Sequence, residues 1–96
     1  MMEFKDAIEN ILRKIDSGYM FDTHFVIEQI IKHHSDEYIN FVAQYANTDM
    51  PTLAAHGNIG KEINKFNNDL VELQKQESWS ENIHGNPSNC ALWLKI

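Results

Sequence analysis

Cysteine is almost missing from this 96-residue chain: Cys90 stands alone, and a single thiol cannot make an internal disulfide. No apolar run approaches the roughly 20 residues that cross a bilayer, so no membrane partner is expected. The opening residues MMEFKDAIEN alternate charged with apolar groups and lack the unbroken apolar core of a signal peptide. The cytoplasm is the expected address. Positive charge is also scarce, with eight Lys and Arg against fourteen Asp and Glu and a formal charge of −6. Residues 1–50 hold most of that excess: Lys5, Arg13, Lys14 and Lys32 face nine acidic groups. An anionic partner would therefore meet the second half, and a cationic protein the first. Repeats and low-complexity tracts are absent.

The familiar signatures of chemistry are missing too. Five histidines, His24, His33, His34, His56 and His84, invite a metal. Yet no C-x-x-C, H-E-x-x-H or helical H-x-x-x-H pair occurs, and those are the spacings that announce zinc. Adjacent His33 and His34 point about 100° apart on a helix and cannot easily chelate together. Cys90 opens an apolar run, where a small buried thiol is commoner than an activated one. No serine sits in G-x-S-x-G, and Gly57-Asn58-Ile59-Gly60-Lys61 fails the Walker spacing. Asp36-Glu37 fall in the first turn of a helix, where dipole compensation explains them. Local spacing predicts no metal, no cofactor and no enzyme.

What is present is ordinary globular material: 43% of residues are apolar, enough for one domain with one modest core. Phe4, Ala7, Ile8, Ile11, Leu12 and Ile15 recur at three and four, the stripe of an amphipathic helix. Ser17-Gly18 ends it, because glycine readily takes the left-handed conformation. Such a stripe has to pack on its own domain or on a second copy, so a homodimer is one expectation. A second helix starts near Asp22 or Thr23 as cap, with Phe25, Val26, Ile27, Ile30 and Ile31 apolar. Ser35 reads as the cap of a third, whose inner side is Tyr38, Ile39, Phe41, Val42, Tyr45 and Ala46. The stretch Asn47–Pro51 is a loop. A fourth helix over about 53–66 places Leu53, Ile59, Ile63 and Phe66 on one side.

Gly57 and Gly60 interrupt that fourth helix at a cost of about 1 kcal/mol each relative to alanine. Either something approaches the backbone closely there, or the helix breaks in two. Strands near 70–79 and 90–95, joined by a polar loop over 80–89, make a hairpin. The fold class expected is α+β, helices first and a hairpin last, in one domain over 1–96. Trp93 belongs in the core, while Trp79 suits either the core or stacking on a base.

This order of elements, helices and then a terminal hairpin, resembles the winged helix-turn-helix family. The resemblance covers about residues 22–96, with 1–21 as an N-terminal helical extension. It lies in order and length rather than in a signature motif. Two features depart from the pattern: the Asn47–Pro51 turn is long for a compact helix-turn-helix, and the charge is acidic. The resemblance implies a recognition helix near 53–66 and a wing at 80–89, hence a regulatory module contacting duplex DNA. Its candidate contacts are Thr52, His56, Asn58, Lys61, Asn64 and Lys65 on the helix, and Asn82, His84 and Asn86 on the wing. Asparagine can read the edge of adenine, and lysine can meet guanine or phosphate. The asparagines of the wing also suit turn chemistry, since Asn tolerates left-handed backbone. The alternative expectation is an acidic interaction module, immunity- or inhibitor-like, that covers a basic protein partner.

Overall fold

The first apolar stripe becomes a helix, α1 (Phe4–Lys14), in a computed structural model that describes residues 2–96. Ala7, Ile8, Ile11 and Leu12 are buried, and Arg13 pairs with Glu9 one turn back at 2.8 Å on the solvent side. The helix ends at Lys14, before Ser17-Gly18. Gly18 instead turns the chain with φ +90° and donates its N–H to the Lys95 carbonyl at 2.8 Å. That turn leads into β1 (Met20–Asp22), a strand too short to leave any periodic mark in the sequence.

Asp22 then caps α2 (Thr23–His33) by accepting the Phe25 N–H at 2.9 Å. Its buried row, Thr23, Val26, Ile27 and Ile30, follows the three-four spacing. The junction with α3 (Ser35–Ala43) falls at His34, whose ring N–H reaches the side-chain amide oxygen of Asn10 at 3.1 Å. Ser35, expected as the cap of α3, is its first residue, and its hydroxyl donates back to the Ile31 carbonyl at 2.6 Å. Only Phe41 is fully buried on α3. It stacks on Phe4 with ring centres 3.9 Å apart. Ile39 is 61% exposed and Ala46 is exposed, because the contact with α1 is made by the Phe41 side of the helix.

Pro51, with no N–H to lose, opens α4 (Pro51–Asn64). The helix runs unbroken through Gly57 and Gly60 and buries Ala55, Ile59 and Ile63. Leu53 does not join that row and is exposed. Asn68, at φ 69°, helps turn the chain into β2 (Val71–Glu81) and β3 (Pro87–Lys95), a long antiparallel hairpin. β3 is central, since β1 pairs antiparallel along its other edge and the strand order is β1-β3-β2. The pairing of β2 with β3 is irregular between Leu73 and Glu77.

One core joins these parts. Ile8 and Leu12 of α1 lie in it with Ile27, Ile30, Ile59, Ile63 and Trp93, so the N-terminal helix packs on its own domain. Val42 is only partly buried at the edge of that core. The Trp93 indole N–H donates to the Thr23 hydroxyl at 3.1 Å. Lys95 is buried along its stem, and its Nζ donates to the Ile15 carbonyl at 2.8 Å. Among the described residues the arrangement is α+β, with four helices and a sheet of three antiparallel strands. No helix among the described residues is long and apolar enough to cross a membrane.

Candidate functional site

Positions 53, 57, 61 and 64 of α4 succeed one another at four, four and three, so they form one stripe of the helix. Here that stripe is Leu53, Gly57, Lys61 and Asn64, all solvent-exposed. Beside it, Thr52 and His56 turn toward the hairpin. Thr52 Oγ1 lies 3.2 Å from His84 Nε2, and the His56 and His84 rings face each other with centres 6.5 Å apart. Tyr38 OH lies 2.8 Å from His56 Nε2. Burial lowers the pKa of His56 first, and the neighbouring His84 and His24 lower it further. The ring is therefore neutral at pH 7.

Two of the expected contacts are occupied inside the protein. Asn58 gives its amide to the Ala54 carbonyl of its own helix at 2.9 Å. Lys65 pairs with Glu62 at 2.9 Å. At the hairpin tip Asn82 is turn chemistry: its Oδ1 accepts the N–H groups of His84 and Asn86 at 2.9 and 3.1 Å. Gly85 completes the turn at φ +81°. Because both strands run longer than the sequence suggests, the tip shrinks to residues 82–86. Asn86 and His84 stay exposed there.

Between α4, the start of α2 and the hairpin lies a cleft of about 330 Å³, walled by Leu53, His56, Gly57, Gly60, Ile83 and His84. A Cβ at Gly57 would meet nothing beyond its own helix within 4 Å, and one at Gly60 would meet only the Thr23 methyl at 3.9 Å. Internal packing therefore requires neither glycine. Their effect is to leave α4 backbone bare along the cleft.

Sequence reasoning missed a second cluster, which reaches the same cleft through His24, Ser88 and Cys90. The Asp22 carboxylate accepts the hydroxyls of Ser78 and Ser80, each at 2.7 Å. Ser80 Oγ also lies 2.6 Å from His24 Nδ1, and Ser88 Oγ lies 3.3 Å from His24 Nε2. A serine has one proton, and Ser80 gives it to the carboxylate, so His24 Nδ1 carries the hydrogen of that contact. Burial pushes the Asp22 pKa up, but the Ser78, Ser80 and Phe25 hydrogen bonds and the nearby His24 together hold it below the ordinary value. Cys90 completes the group. Burial raises its pKa most; the His24 backbone contact opposes it, the Asp22 charge adds to the rise, and Thr23 and Ser80 oppose least, so the thiol stays protonated at neutral pH. One ligand-type atom from each of Asp22, His24 and Cys90 lies within 4.8 Å of the others.

The only local signal for this cluster is the pair Asp22 and His24, two residues apart. Cys90 joins them because β1 pairs with β3, setting Asp22 opposite Leu92. Compared with protein-family models, with curated proteins and with solved structures, the chain matches none.

Proposed function

We propose that this chain is a small regulatory module of winged helix-turn-helix type that binds nucleic acid through α4 and the β2–β3 tip. The observation that carries the reading is the joining of the two surfaces. Thr52 and His56 on the helix meet His84 on the tip, so the α4 stripe and the tip lie side by side on one surface. Lys61 and Asn64 are the exposed polar groups of that stripe. Lysine meets phosphate or guanine, and asparagine reads adenine. Cation count limits the affinity, since few released counterions mean a shallow salt dependence.

Titration against duplex DNA over a range of salt concentrations tests this. Weak binding is expected at low ionic strength, where opposite charges are least screened. Lys61→Ala should weaken binding to all sequences and flatten the salt slope by about 1. Lys65→Ala should do less, because Glu62 already engages Lys65. A wild-type chain that stays unbound to a broad DNA pool at low salt would end this reading.

The second reading, an acidic interaction module for a basic protein, is favoured by the net charge of −6 and by exposed Glu3, Asp6, Asp16 and Asp36 in the first half. It expects no duplex binding at any salt concentration. It also expects loss of partner binding when these acids are neutralised.

A further inference from the structure

We propose that Asp22, His24 and Cys90 form a binding site for one Zn²⁺ ion. The three ligand-type atoms already lie within 4.8 Å of one another, although they come from two distant parts of the chain. In a tetrahedral zinc site with metal–ligand distances of about 2.0–2.3 Å, ligand atoms sit roughly 3.3–3.8 Å apart. Closing the remaining gap takes a change in each ligand–ligand distance of at most about 1.5 Å. The donor set is a carboxylate oxygen, an imidazole nitrogen and a sulfur, a combination suited to zinc rather than to magnesium or calcium.

The surroundings resemble an outer shell of support. Ser78 and Ser80 hold the carboxylate, and of the two serines at the His24 ring nitrogens, Ser80 and Ser88, the one on the nitrogen that does not bind the ion stays to orient the ring. Metal-binding side chains commonly need such partners to fix their orientation. His24 and Cys90 line the cleft beside α4, which gives the ion an entry path and leaves room for a water as fourth ligand. Charge balances as well. Binding releases the Cys90 thiol proton to solvent as the sulfur–zinc bond forms. The resulting thiolate and the Asp22 carboxylate then carry the two negative charges that a dication neutralises. A bound ion would tie β3 to the start of α2, where Asp22 caps the helix.

The test is an anaerobic titration of the reduced full-length chain with Co²⁺, followed by displacement with Zn²⁺. One equivalent should bind, giving a thiolate-to-cobalt charge-transfer band and the strong visible bands of a four-coordinate ion, and Zn²⁺ should abolish both. Cys90→Ser should remove the charge-transfer band. Asp22→Asn, which keeps a capping side chain, and His24→Gln should each weaken binding at least tenfold. Ser80→Ala should weaken it roughly 10- to 100-fold while keeping the band. His33→Gln, exposed at the opposite end of α2 from His24, should leave the affinity unchanged. Absence of the charge-transfer band from folded wild-type protein with excess Co²⁺ overturns the proposal whatever the variants do. So does a band that Asp22→Asn and His24→Gln leave at full affinity, which would mark cobalt held by the thiol alone.

Discussion

Trp93 and Trp79 stand on adjacent strands of one hairpin and have opposite fates. Trp93, near the sheet's base, is 1% exposed, and its indole N–H is satisfied by Thr23. Trp79, toward the tip, is 69% exposed. The contrast extends to their neighbourhoods. The base of β3 is held by burial, with Phe21 opposite Trp93 and Val71 opposite Lys95. The outer half is held by polar contacts among Asp22, His24, Ser78, Ser80 and Ser88. A hairpin built this way has a base that decides whether the domain folds. Its outer half can change chemistry at smaller cost to stability.

The sharpest way to break this contrast is Trp93→Ala, which should cost about 3–5 kcal/mol in urea unfolding, as expected for a fully buried tryptophan. A loss no greater than that of a surface variant would mean the base is not where stability resides. Asp22→Ala comes next. It removes a helix cap worth about 0.5–2 kcal/mol and leaves Ser78 and Ser80 without their acceptor. Thermal melting should therefore show a clear drop, and Asp22→Asn should recover most of it.

The pH dependence tests the polar half from another side. His56 has a pKa below its unfolded value of about 6.5, so the unfolded chain binds a proton more readily than the folded one. Its contribution is complete above that value and is lost as pH falls below it, down to the folded pKa. Stability measured from pH 8 to 5 should decline on the acid side, and His56→Gln should flatten the decline. An unchanged slope in the variant would place the titration elsewhere. Gly57→Ala should raise stability by about 1 kcal/mol through helix propensity, since nothing blocks the new methyl. If that variant also weakens ligand binding, bare backbone in the cleft is functional. Trp79→Ala, the smallest effect, should stay within about 0.5 kcal/mol.

Helix periodicity made α1 and α2 legible because their apolar rows are wide and continuous. It also placed Ile30 and Ile63 in the core, and the apolar run around Trp93 placed that residue there too, where all three lie. It misplaced Ile39 and Leu53, both 61% exposed, because spacing shows which residues share a side but not how far a neighbour covers it. Strand β1 was invisible for a different reason: three residues cannot show a period. At the hairpin tip, composition alone suggested turn chemistry for the asparagines, and Asn82 has that role. The Asp22–His24–Cys90 cluster was not legible, since motif spacing is a local quantity and strand pairing is not. Thr23 and Ala91, whose contact borders that cluster, are 68 residues apart in the chain.

The central place of β3 sets an order of events during folding. β1 has no strand to pair with until residues 87–95 exist, because its sole partner is β3. Contacts between distant segments form slowly, whereas helices and their local packing form fast. A nascent chain would therefore assemble its helical cluster first, with Met20–Asp22 waiting as an unpaired edge. Truncation anywhere before Trp93 should leave that edge open and prone to association. Assembly of the sheet is the closing step, and it fastens the earliest-made strand to the last.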